Sequence, residues 1–264
     1  MEWLGYLASV CVGLVLGLLG GGGSILTIPI LVYLFHVNAV TASAYSLFIV
    51  GITSLVGVIP KHRDHLVDVR TGLYFGLPSI VTIFITRKWI VPSIPDVVST
   101  LSPDIVVTKR VLILGIFALL MILASLSMLL NRKLDTSETK VHYSPLLVFE
   151  GLLIGFLTGL VGAGGGFLII PALVLVTGLK FKTAVGTSLL IIGVNSLIGF
   201  AGDVLNYEMD WLFLLSLTLL AVLGIIAGAS LARKVQAQSL RRVFAYFVLL
   251  IGTWMLFNEL YSIL

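Results

Sequence analysis

Apolar residues fill eight long stretches of this chain, at about 3–35, 39–60, 71–88, 109–131, 146–178, 183–202, 211–232 and 240–262, and the polar residues gather between them. A membrane-crossing helix needs about 20 such residues in a row. Only helices and closed barrels can satisfy their backbone inside a bilayer. The pattern therefore predicts an all-α integral membrane protein of about eight hydrophobic helical segments. Most of the charge sits in the connectors Lys61 to Arg70, Arg87 to Arg110, Arg132 to Tyr143, Asp203 to Asp210 and Arg233 to Arg242. Between Val91 and Val107, Pro92, Pro95 and Pro103 break the chain too often for a span, and this stretch is expected to rest at the membrane interface.

A second pattern lies over the first. With a shift of 142 residues, Gly13 to Gly57 lies over Gly155 to Gly199 without a gap, and 20 of the 45 positions are identical. Shared hydrophobicity does not produce that, so the chain reads as a duplication. The first half covers 1–131, a connecting loop 132–145, and the second half 146–264. Gly17-Leu18-Leu19-Gly20-Gly21-Gly22-Gly23 lies over Gly159-Leu160-Val161-Gly162-Ala163-Gly164-Gly165, and Pro29 over Pro171. Repeats with Gly- or Pro-interrupted hydrophobic segments in matching places are a mark of secondary transporters.

The glycine-broken segments leave two topologies open. If each crosses once as a broken helix, the chain makes eight crossings, with ten Lys and Arg on one side and six on the other. If each turns back at its glycines, six crossings remain, the halves are inverted, and the division becomes twelve against four. The sharper asymmetry favours hairpins under the positive-inside rule. Both versions place the two termini on one face, expected to be external.

Composition agrees with a lipid environment. Hydrophobic residues make up 59% of the 264 and charged residues 11%, against about 25% charged in soluble domains. The net charge of +4 comes from scattered connector residues, with no basic run that would bind nucleic acid. Cys11, the single cysteine, cannot form an internal disulfide or a zinc site alone. Met1-Glu2-Trp3 lacks the basic start of a signal peptide, so the first apolar run is read as part of the mature protein.

The glycine runs carry the candidate chemistry. Gly20, Gly21, Gly22, Gly23 and Ser24 in one half, and Gly162, Gly164, Gly165 and Gly166 in the other, are poor helix formers at membrane depth. Broken backbone is tolerated there only inside protein or along a wet cavity. Helices restarting at Ile25 and Phe167, the first capped by Ser24, would present unpaired N–H groups and the positive end of their dipoles. Two such ends near the midplane would hold a small anion with no buried Lys or Arg. Close helix packing through small residues is the plainer reading, and it explains a run of four glycines poorly. The Gly-Lys-Ser/Thr ending of a P-loop is missing in both halves, which argues against an NTP-driven enzyme.

The next segment of each half adds hydroxyl and amide donors. Ser46, Val50, Thr53 and Gly57 fall on one helical stripe, and Ser188, Ile192, Asn195 and Gly199 on its match, with Ser54 and Ser196 beside them. Such groups suit oxyanion recognition, and they also serve ordinary interhelical bonding. Glu150 opens the fifth segment and Asp203 sits at the end of the sixth; these two are the candidates for proton coupling, although both stand near a boundary where water could reach them. His62 and His65 share a charged loop, and His36 and His142 are isolated, so no metal site is expected. No cofactor is expected either, and no nucleophile–base pair within the segments suggests an enzyme.

At these glycine and proline repeats the chain resembles the sulfite exporter TauE/SafE family. The resemblance rests on Gly17 to Pro29 and Gly159 to Pro171, each followed by a Thr-Ala…Ser helix, and spans about Gly5 to Leu256. It implies a multi-pass transporter of the bacterial or archaeal cytoplasmic membrane that moves small sulfur-containing anions such as sulfite, sulfonates or sulfoacetate. The chain lacks the intramembrane cysteines of the separate thiosulfate-uptake transporters. The expected partners are a small anion and the lipid bilayer, with room for a homo-oligomer. An anion channel would use the same glycines and donors and is the alternative.

Overall fold

The structure, a computed structural model, describes residues 2–21, 23–102, 105–130, 145–232 and 237–261. The connecting loop assigned to 132–145 lies outside the described residues except at its last position. Five helical stretches are long and apolar enough to cross a membrane: Ala39–Arg63, Val69–Ser93, Lys109–Ser127, Phe181–Val204 and Trp211–Ala232. Leu4–Leu19, Ser24–Leu34, Pro145–Val161 and Ala245–Tyr261 are shorter apolar helices. The protein is a helical membrane protein, and many of its large apolar side chains face outward, among them Leu212, Leu250 and Phe257.

In chain order the helices begin with α1 (Glu2–Leu19) and α2 (Ser24–Pro29), which runs into a π-helical turn at Ile30–Leu34. Next come α3 (Ala39–Arg63) and α4 (Val69–Ile85), a π turn at Thr86–Ile90, and short α5 (Val91–Ser93). Strands β1 (Val97–Ser102) and β2 (Ile105–Thr108) precede α6 (Lys109–Leu130). Then follow α7 (Pro145–Val161), α8 (Gly166–Ala172) with a π turn at Leu173–Thr177, α9 (Phe181–Val204), α10 (Trp211–Ala232) and α11 (Ala237–Tyr261). A proline offers no N–H and crowds the carbonyl of the preceding turn, so the wider π turns after Pro29 and Pro171 have a local cause.

The interfacial connector departs from an all-helical reading. β1 and β2 pair antiparallel, Val97 opposite Thr108 and Ser99 opposite Val107. Val97, Val98, Thr100, Ile105, Val106, Val107 and Thr108 are β-branched, a composition that suits a pleated ribbon better than a helix.

The chain reverses at the first glycine run. Phe35, just past the first π turn, lies against Gly5 near the start of α1, and its ring meets Tyr6 edge-on at 5.5 Å. α1 and the segment Ser24–Leu34 therefore run side by side in opposite directions. In the second such segment Leu147 and Ile154 of α7 share a buried cluster with Ile169, Leu173 and Val174.

Close helix approaches recur at the 142-residue shift. Gly13 packs on Ala221 and Gly17 on Ile225 and Gly228, joining α1 to α10. Gly155 packs on Ser79 and Gly159 on Ile83 and Thr86, joining α7 to α4. Each member of the second set stands 142 positions from its counterpart. At the centre α3 and α9 cross antiparallel, with Gly51 against Leu197 and Gly193 against Leu55, another matched pair. Small residues here let the backbones approach, as membrane helices without a hydrophobic drive between them require.

Candidate functional site

The two glycine breaks meet at the middle of the α3–α9 crossing. A Cβ added to Gly21 would come within 2.6 Å of Gly166 Cα, and one on Gly166 within 2.5 Å of Gly21 Cα, so the two main chains touch. Gly20, with φ +83°, rests on Val185 of α9. Gly162, with φ +82°, rests on Ser43 of α3, the position equivalent to Val185. Gly164, at φ +66°, would place a Cβ 2.8 Å from both Ser196 Oγ and Val50 Cγ1. These left-handed turns are open to glycine at little cost and strained for other residues.

Not every glycine of the runs faces the centre. Gly23 packs back on Val12 and Leu16 of its own α1, and Gly165 on Thr158 of its own α7. Gly22 lies outside the described residues. Ser24 does not cap α2: Gly23 holds the cap position, and the Ser24 hydroxyl donates to the Gly21 carbonyl at 2.8 Å. It is the first residue of the helix, one place too late to accept from the orphan N–H groups.

The matched polar stripes lie in the same interior. Ser46, Thr53, Ser54, Ser188, Asn195 and Ser196 are buried. Ser188 donates to the Val185 carbonyl at 2.8 Å, and Asn195 Nδ2 donates to Ser79 Oγ at 2.6 Å. The hydroxyls of Ser46, Thr53, Ser54 and Ser196 and the Asn195 Oδ1 have no partner. A buried polar group left unmet costs about 1–3 kcal/mol, and five of them around one crossing is more than interhelical bonding calls for.

A cavity of about 680 Å³ opens beside this crossing, lined by Leu18, Gly57, Lys61, Val185, Ile225 and Ala229 among others. Because Val185 also supports Gly20, the cavity ends against the first glycine break.

At the opposite end the interior holds a charged pair. The Arg87 Nη1 donates to Asp203 Oδ2 at 3.1 Å and to Ser43 Oγ at 2.8 Å, and both charged side chains are fully buried. Arg87 belongs to the π turn Thr86–Ile90, and its Nη2 lies over Gly162. This corrects two expectations. An arginine is buried beside a glycine break after all, and Asp203 is sealed from solvent instead of standing in water at a helix end. The widened turn and the Asp203 carboxylate together explain how a guanidinium reaches so far inside. Glu150 is elsewhere: it is half-buried near the start of α7, twelve residues before Gly162, roughly 18 Å along a helix. Its Oε2 has no partner.

The comparisons with known proteins bear on this arrangement. The family model for the sulfite exporter TauE/SafE matches residues 5–255. The chain belongs to that family. Among its relatives is the Bacillus subtilis protein named "Probable membrane transporter protein YunE", 26% identical over 98% of this chain and all of its own length. A Xylella fastidiosa "Probable membrane transporter protein" is 30% identical over 94% of this chain and 92% of its own. A relative of the same description from Methanocaldococcus jannaschii is 23% identical, covering 94% of each chain. No solved structure matches the chain. TauE/SafE membership and the five apolar helices establish a multi-pass membrane protein of a transporter family.

The Arg87–Asp203 pair is what sequence reading missed. A signal was present: under the 142-residue shift, Arg87 falls on Ala229, within the apolar run 211–232 and three residues before its end. A charged residue aligned with the interior of a span belongs inside the membrane, not in a loop.

Proposed function

We infer that the protein is a secondary transporter of a small oxyanion, sulfite, a sulfonate or another organosulfur anion, built from two homologous inverted halves. In this reading each half contributes one glycine-broken hairpin, and the hairpins meet back to back at the α3–α9 crossing. The repeated contacts at a constant 142-residue shift support the two halves. Phe35 against Gly5 supports the hairpin topology over a broken helix that passes through.

The observation that carries the reading is the set of buried hydroxyls without partners around touching glycine breaks, those of Ser46, Thr53, Ser54 and Ser196. Hydroxyls can turn to donate to an oxyanion. In this conformation the site lies beside the cavity at the Lys61 end and is closed at the Asp203 end. The Lys61 end carries Lys61, Arg63, Arg70, Lys180, Lys182, Arg241 and Arg242 among the described residues, against Arg87, Lys88, Lys109 and Arg110 at the other. Under the positive-inside rule this bias supports a cavity open to the cytoplasm; the proposal places the protein in the inner membrane, with export as the direction the family description suggests.

The test is transport by purified protein in liposomes. Thr53→Val keeps shape and deletes a hydroxyl that bonds nothing within the protein. Its melting temperature is expected to hold or rise, while the KM for labelled sulfite rises about tenfold, the worth of roughly 1.4 kcal/mol of lost hydrogen bonding. Unchanged sulfite uptake by this variant would argue that the hydroxyl faces no substrate. A thermal-shift panel of sulfite, sulfate, sulfonates, thiosulfate and carboxylates checks the class, and a response to carboxylates alone would replace it.

A further inference from the structure

The Arg87–Asp203 pair sits where the other half of the molecule is hollow. Moved by 142 positions, Ser43 becomes Val185, Arg87 becomes Ala229, and Asp203 corresponds to Lys61. Val185, Ala229 and Lys61 all line the cavity of about 680 Å³. Gly162, under the guanidinium, likewise corresponds to Gly20, which rests on the cavity-lining Val185. Two equivalent places in the fold thus hold opposite contents: space at one end, a guanidinium and a carboxylate at the other.

As structural cement the pair is poor. Arg87 Nε and Nη2 and Asp203 Oδ1 have no partner, although all are buried. Removing two charges from water is costly, and their mutual attraction offsets that cost only when the remaining donors and acceptors are also met. Three unmet atoms mean that they are not. A planar guanidinium with free N–H groups is suited to grip a carboxylate or a sulfur oxyanion. Asp203 now occupies one edge of that grip.

We propose that Arg87 is the anion-receiving residue of a second cavity, closed in this conformation, and that Asp203 and Ser43 hold its guanidinium as the gate of that cavity. The inference rests on the transport reading above. When the Asp203 end opens to the shape now seen at the Lys61 end, Arg87 leaves Asp203 and its fork meets the oxyanion. Gly162 makes room: any side chain there would collide with Nη2. The class of ligand is a small anion with at least two oxygens that one guanidinium can bridge.

A reporter thiol tests gate and ligand separately. Ser46 lies one turn beyond Ser43 on α3, is fully buried, and bonds nothing through its hydroxyl. In a Cys11→Ala background, Ser46→Cys is exposed in oriented liposomes to an impermeant methanethiosulfonate reagent from the Asp203 side only. Labelling is expected to be slow, and at least tenfold faster in Asp203→Asn, which releases the guanidinium. Millimolar sulfate or ethanesulfonate, neither of which reacts with the reagent, is expected to speed labelling of the parent protein. The neutral pair Arg87→Gln with Asp203→Asn should lose that anion response while remaining monodisperse. Labelling in Asp203→Asn as slow as in the parent overturns the gate, whatever the transport reading. An anion response that survives in the neutral pair overturns Arg87 as receiver. No anion response in the parent, with the gate behaving as described, removes both the receiver and the oxyanion reading.

Discussion

The burial of Arg87 and Asp203 makes a quantitative prediction about stability. Their contact is 3.1 Å long and fully shielded. Removing one partner leaves a bare charge in the protein interior, which costs about 3–5 kcal/mol. Arg87→Met and Asp203→Leu, each alone, should therefore lower the melting temperature by on the order of 10 °C, using the entropy scaling of soluble domains of this size. The double variant loses the pair but also removes three unmet polar atoms, Arg87 Nε and Nη2 and Asp203 Oδ1. At about 1–3 kcal/mol for each unmet group, that relief offsets the lost attraction, and the double variant should melt close to the parent. The coupling energy of the cycle is then large and positive for pairing, while the pair's net worth is near zero. Thermal unfolding of the four proteins in one detergent measures all of it. Refutation would come from additivity: a double variant destabilised by the sum of the two singles would mean that the pair is ordinary structural glue. The same proteins in liposomes should show that stability and flux part company, with transport lost in the stable double variant.

Two further outcomes follow from the packing. Gly21→Ala drives a Cβ to 2.6 Å from the Gly166 main chain, where no side chain can yield, so the hairpins must part; overpacking of that kind costs about 1–3 kcal/mol, and sulfite uptake should fall at least tenfold in protein that still reaches the membrane. Cys11 is exposed on α1, so Cys11→Ala should change the melting temperature by less than about 1 °C and leave uptake intact, measured alongside the parent.

Much of the architecture was legible because its causes are local. Runs of about 20 apolar residues announce helices in lipid, and α3, α4, α9 and α10 fall where the runs predict. The glycine clusters marked the chain reversals because nothing else in the sequence would permit φ near +80° at Gly20 and Gly162. The ribbon Val97–Thr108 was hidden by attention to prolines: Pro92 and Pro95 end the preceding helix, but the β-branched residues between them and Lys109 choose the structure that follows. Ser24 was misplaced by one residue, and one residue decides whether a hydroxyl accepts from a helix start or turns back to a carbonyl.

Arg87 was illegible for a different reason. Read in sequence order, it follows an apolar run and precedes Lys88, Trp89 and two prolines, which is how a span ends and a loop begins. What places it inside is a residue 116 positions away, since only the Asp203 carboxylate makes a guanidinium tolerable at that depth. Hydropathy sums along one segment cannot contain a cancellation between two segments. The duplication does contain it, because it sets Arg87 against Ala229 and Asp203 against Lys61 and asks why matched positions differ. Drift in a lipid-facing helix would exchange one apolar residue for another. A paired change, arginine on one helix and aspartate on the helix that meets it, keeps the interior neutral while filling one of two equivalent hollows. In the proposed transport cycle the two ends exchange places, and a difference of contents between them would let the protein treat its two faces unequally.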